Sequence, residues 1–237
     1  MKWILAAAVL GLSAPAFADY SSFPQPLAQA LELAQDSPEG AVWRFTFHIT
    51  IDGEEMTARF DGTQPDGADW TLLSPASADE LSDPLAEIWT DMNTVDDAEE
   101  ADDGVSIGAD GLFFDEDAAS MVSGGIEELG DGRYAFRPNL DPDAEEPDPM
   151  ADNMTGEVAL SANGYINELR IFAPESFKPN AAARVHTFEM RMTFDQLEGF
   201  PAPIMISMAT DIEVSALFQR QSQSLEFRFS DVEYTAP

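Results

Sequence analysis

The sequence predicts an α+β protein: a large curved antiparallel sheet, a half-barrel, wrapped around a few helices. Long runs alternate strictly between apolar and polar residues, tight-turn residues separate them, and helical spacing is confined to short stretches at the start and middle. Between Val185 and Phe194, His186, Phe188, Met190, Met192 and Phe194 fall on one face, and Thr187, Glu189, Arg191 and Thr193 on the other. A strand sends neighbours to opposite faces, so such alternation means one buried face and one wet face. Leu225, Phe227 and Phe229 repeat it against Glu226, Arg228 and Ser230, as do Ile204, Ile206, Met208, Ile212, Val214, Ala216 and Phe218. From Thr155 to Tyr234 four successive antiparallel strands are expected. Asn163-Gly164, between Glu157–Ser161 and Tyr165–Phe172, predicts a two-residue hairpin turn with positive φ at both positions.

Taken from the start, the chain opens as an export signal. Lys2 gives the positive end, Trp3 to Leu12 the apolar run, and Ala16-Phe17-Ala18 the small-x-small cleavage site, so the mature chain is expected to begin at Asp19 after Ala18. The run is shorter than the roughly 20 residues a membrane span needs. With no cysteine, neither a disulfide nor a lipid anchor on cysteine is expected. The expected location is the periplasm, without stable membrane insertion.

Residues 19–237 are read as one α+β domain. Pro24 to Ala34 predicts a helix, with Pro26 in its first turn and Leu27, Ala30, Leu31 and Ala34 on one side. A strand follows, with Trp43, Phe45, Phe47, Ile49 and Ile51 inward and Arg44, Thr46, His48 and Thr50 outward. Asp52-Gly53 turns it, and Met56, Ala58 and Phe60 return opposite Glu55, Thr57 and Arg59. Trp70 to Leu73 predicts a third strand. Ser77 to Met92 is a helix candidate that Pro84 shortens to a start after Ser82. Asp96 to Gly104 is an acidic loop, Phe113 to Val122 a second short helix ending at Gly124-Gly125, and Arg133 to Arg137 a brief strand. Asn139 to Asn153, rich in proline and acid, is expected to be irregular and mobile. It is also where a two-domain reading would divide the chain, but each half alone shows a one-faced sheet with no partner layer.

The charge narrows the partners. There are 45 acidic against 11 basic residues, a net charge of −34, which repels nucleic acid and anionic membrane surfaces. No chemistry-bearing motif stands out. No G-x-S-x-G elbow is present, and His48 and His186 sit on different strands, His48 as a solvated residue and His186 near the sheet's rim. No His/Cys pair has zinc-ligand spacing. The acids Asp96, Asp97, Glu99, Glu100, Asp102 and Asp103, like Asp141, Asp143, Glu145 and Glu146, lack calcium-loop spacing. Met190, Met192, Met205 and Met208 contain the soft ligands of a copper(I) site, but alternation already requires apolar residues at three of them. No enzyme, metal or cofactor is therefore expected. Methionine interleaved with phenylalanine suits a surface that accepts apolar ligands of varied shape.

The order of elements resembles the periplasmic lipoprotein-carrier (LolA/LolB-like) group. The resemblance rests on Leu27-Ala28-Gln29-Ala30-Leu31 leading into Trp43–Ile51, on helices midway, and on Gly164-Tyr165-Ile166-Asn167-Glu168-Leu169 opening a late meander. It implies a half-barrel holding acyl chains against central helices. The arginines Arg44, Arg59 and Arg191 all fall on polar faces by alternation. The expected function is binding or carriage of an acyl-chain or lipid-like ligand on the concave apolar face. Its expected lining is Phe45, Phe47, Ile49, Phe60, Phe188, Met190, Met192, Phe194, Ile206, Met208, Phe227 and Phe229. The alternative is an envelope structural or interaction protein with a filled core and no ligand.

Overall fold

The computed structural model describes residues 20–34, 41–64, 69–93, 112, 119, 121–139, 150–180, 182–198, 200, 202–216 and 219–235. The export signal with its Ala18/Asp19 junction, the Asp96–Gly104 loop, the second acidic cluster, Phe218 and most of Phe113–Val122 lie outside the described residues. Eleven strands form one antiparallel sheet that curves without closing. They are β1 (Val42–Ile51), β2 (Glu54–Asp61), β3 (Trp70–Ser74), β4 (Val122–Gly130), β5 (Arg133–Pro138), β6 (Thr155–Leu160), β7 (Ile166–Phe172), β8 (Phe177–Asn180), β9 (Ala183–Asp195), β10 (Ile204–Ala216) and β11 (Gln219–Thr235). The helices described along their length are α1 (Gln25–Ala34) and α2 (Asp83–Met92). The fold is α+β.

The spatial order is β3-β2-β1-β11-β10-β9-β7-β6-β5-β4, with the short β8 pairing on β9. The N-terminal hairpin thus joins the C-terminal meander through β1 and β11, from Ile51 opposite Leu225 to Val42 opposite Thr235. Local sequence fixes the turns. Asp52 (φ 51°) and Gly53 (φ 88°) form the expected two-residue turn. At Asn163-Gly164 the expected turn is replaced by a longer one. The Gly164 N–H donates to the Ser161 carbonyl at 3.0 Å, and of the pair only Gly164, at φ 84°, is left-handed. The helix of Ser77–Met92 is indeed divided. A 3-10 turn at Ala78–Glu80 precedes α2, which begins after Ser82 with Pro84 in its first turn.

Several elements depart from the sequence reading. The last third holds six strands, not four successive ones. At Gly124-Gly125, where a helix was expected to end, β4 is already under way; a register shift between Ser123 and Glu127 carries the chain over the two glycines. Alternation also slips at bulges, among them one on β9 and one on β10. On β9 the register shifts around His186, so Val185 rather than His186 is on the inner face, 3 % exposed. On β10 the extra residue is Ile206, and Met205, not Ile206, faces Phe194. A bulge adds one residue and flips every side chain beyond it.

The inner face carries two apolar cores. In the first, Leu27, Ala30, Leu31 and Ala34 of α1, all 0–1 % exposed, pack with Val158, Leu169 and Ile171; Ala119 and Met121 join them. The small alanines let the helix approach β7 closely. In the second, Leu85 and Met92 of α2 pack with Phe45, Phe47, Ile49, Met56 and Trp70. Ring centroids there lie 4.9 Å apart for Phe45–Phe60 and 5.1 Å for Phe60–Trp70, an arrangement favoured beyond simple burial. The sheet's two outermost strands, β3 and β4, carry the exposed large apolar residues Leu73 and Leu129.

Candidate functional site

Paired residues on neighbouring strands share a face, so the register can be followed across the sheet. One row runs Tyr134–Val158–Leu169–Met192–Met208–Phe227–Ile49–Met56, over β5, β6, β7, β9, β10, β11, β1 and β2. Tyr134, Val158 and Leu169 at one end and Ile49 and Met56 at the other are 1–3 % exposed. Met192, Met208 and Phe227, in the middle, are partly exposed. The next row, Ile171–Met190–Thr210–Leu225–Ile51, has the same form: buried ends and partly exposed Met190 and Thr210. In the third, Phe188, Ile212 and Gln223 are all partly exposed.

The helices explain this pattern. α1 covers the β5–β7 side, where Phe188, Met190 and Met192 pack against the edge of its core, and α2 the β1–β3 side, where Phe227 does the same. Met205 touches both, whereas Met208 and Ile212 belong to neither. A half-open apolar window therefore lies over β9, β10 and β11, with a packed core at each end.

The residues expected to line a ligand face divide accordingly. Phe45, Phe47, Ile49, Phe60, Phe194 and Phe229 are 0–7 % exposed and sit inside the cores, out of reach of a ligand. Phe188, Met190, Met192, Ile206, Met208 and Phe227 are partly exposed, and all but the bulged Ile206 belong to the window rows. Thr210, Ile212 and Gln223 complete those rows. Alternation already sets Ile212 on the apolar face; the polar Thr210 and Gln223 enter only through the register, opposite Met190 and Ile212.

The outer face is polar and internally paired. Arg170 grips Glu189 with two hydrogen bonds, at 2.9 and 3.1 Å, and its guanidinium lies 4.1 Å from the Phe172 ring centre. That grip holds the Glu189 carboxyl below the usual range and raises the guanidinium. The Thr63 hydroxyl, then Arg44, likewise holds Asp61 well below the carboxylate range. His48 is not a solvated residue. It is part-buried, with Nε2 2.9 Å from Ser230 Oγ and Nδ1 3.3 Å from Thr57 Oγ1, and burial, then Arg228, pushes its pKa down. His186 is held by Ser215 at 2.9 Å. Each histidine is thus hydrogen-bonded to hydroxyls, His48 to Ser230 and Thr57 and His186 to Ser215.

A shallow pocket of about 440 Å³ lies elsewhere, at the β1–β11 end, lined by Val42, Arg44, Leu197, Glu198, Val232 and Tyr234 among others. None of the expected lining residues is in it. Among the described residues no His, Cys, Asp or Glu group is arranged to hold a metal ion, and no helix is long and apolar enough to cross a membrane. No family model, curated protein or solved structure matches the chain.

Proposed function

We propose that the protein is an exported, periplasmic binder or carrier of a hydrophobic ligand, an acyl chain or similar lipid, laid along the window over β9, β10 and β11. The observation that carries this reading is the partly exposed middle, Met192, Met208 and Phe227, of an apolar row whose flanks are sealed, 1 % exposed at Leu169 and at Ile49. Each methylene moved from water onto such a surface contributes about 0.8 kcal/mol, so an acyl chain supplies the missing cover. Methionine at Met190, Met192 and Met208 lets the floor adapt to chains of different shape. The N-terminal Lys2, apolar run and Ala16-Phe17-Ala18 support export. The net charge of −34 disfavours nucleic acid and anionic membrane as partners. The reading assigns no catalytic residue and no cofactor.

The test is native mass spectrometry of the mature protein after incubation with lipid vesicles and removal of free lipid. A lipid adduct that dissociates on collisional activation is expected. Bare polypeptide mass under every condition would leave the alternative, a ligand-free envelope protein.

A further inference from the structure

The window's polar composition limits the ligand's head group. Along β9, β10 and β11 the inner-face positions run from Val185 to Phe194, from Met205 to Ala216 and from Gln219 to Phe229, read through the bulges at His186 and Ile206. None of them carries a charge, in a chain of which 24 % of residues are charged. The outer face of the same strands is different, with Glu189, Arg191, Asp211, Glu213, Arg220 and Arg228.

The inner face instead ends in amides. β11 runs on past the end of β1, which stops where Ile51 meets Leu225. On this overhang Gln223 stands opposite Ile212, Gln221 opposite Val214 and Gln219 opposite Ala216. Gln219 and Gln221 are exposed and Gln223 partly so, and none of the three side chains has a hydrogen-bond partner among the described residues. Successive members of such a ladder are about 7 Å apart along the strand, and each offers both donors and acceptors. At the end of the second row Ile51 is followed by Glu54, which is negative.

We propose that the ligand is a lipid with an uncharged polar head, of the acylglycerol class. Its chain lies over Met192, Met208 and Phe227, and its ester and hydroxyl groups bond the glutamine ladder. An ionised fatty acid or a phospholipid phosphate would lie on a face that offers no cation, within a strongly negative protein. An anion moved from water without a partner is penalised heavily. This inference rests on the binding function proposed above and specifies its ligand.

The experiment is a native mass-spectrometric competition. Equimolar monoacylglycerol and fatty acid of the same chain length are offered to the mature protein at a pH where the acid is ionised. The monoacylglycerol should occupy the protein about tenfold more, equivalent to about 1.4 kcal/mol. Gln221→Lys combined with Gln223→Lys, at positions outside both cores, should move the preference towards the fatty acid with the unfolding midpoint unchanged. Equal uptake of the two lipids, or preference for the acid in the unsubstituted protein, overturns the head-group assignment and leaves the binding function intact. No uptake of either removes the binding function as well.

Discussion

Phe47→Ala should lower the free energy of unfolding by about 3–5 kcal/mol, the usual range for a fully buried phenylalanine. Phe47 is 0 % exposed. Its ring centre lies 5.6 Å from that of Phe227, 5.4 Å from Phe229 and 6.1 Å from Trp70. Truncation therefore removes apolar burial, ring–ring contact and the filler of a void together. The position also matters topologically. Phe47 pairs directly with Phe229 across the β1–β11 junction, where the N-terminal hairpin joins the meander. Domains are stable by only about 5–15 kcal/mol, so this loss is a large fraction of the total. Denaturant unfolding should show a lower midpoint with an unchanged slope. A loss below about 1 kcal/mol would mean that the second core is not packed as described.

Gly156→Val should be comparably severe, for the opposite reason. Gly156 sits in β6, opposite Phe136 of β5 and Ile171 of β7. A Cβ placed there would lie 2.2 to 2.6 Å from three carbons of the Phe136 ring, which covers the glycine like a lid. Phe136 is itself 3 % exposed within the first core and has little room to withdraw. Overpacking of this kind costs about 1–3 kcal/mol and at times more. A branched side chain belongs at the upper end, despite valine's preference for strands. The cause can be isolated with a cycle. Gly156→Ala should be costly in the native background and nearly free in a Phe136→Ala background, because contacting residues couple. Equal cost in both backgrounds would show that the ring is not the obstacle.

Neither of these relations is visible in the sequence, and the reasons are physical. Alternation in Val42–Ile51 and Ala183–Asp195 identifies the apolar face because the side-chain period of a strand is two everywhere. Asp52-Gly53 specifies its turn because both residues tolerate positive φ. The single-residue insertions at His186 and Ile206 escape such a reading, since a bulged residue carries no mark of its own in the sequence. Gly124-Gly125 signals a break in regular structure, and a bulged edge strand and a helix end use the same signal. The β1–β11 pairing joins segments that no local pattern connects. The candidate site shows the same division. Phe45 and Met192 have identical alternation, yet one is sealed under α2's core and the other lies in the window. Alternation reports which face is apolar; where the helices stop covering it is decided by their length and docking. The two helices described along their length have ten residues each, about 15 Å, too short to bury the central strands of so wide a sheet completely.

The central claim, that this open strip accepts an apolar ligand, is tested most directly by titrating the mature protein with an uncharged solvatochromic dye. Three proteins are compared: the unsubstituted chain, Met208→Asp in the middle of the window, and Asn167→Asp at an exposed position on β7. A carboxylate at Met208 keeps its water and denies the strip to an apolar guest. Saturable, blue-shifted emission is expected from the unsubstituted protein and from Asn167→Asp, with affinity at least about tenfold lower, more than 1.4 kcal/mol, for Met208→Asp. No uptake by the unsubstituted protein, or equal uptake by all three, would contradict it.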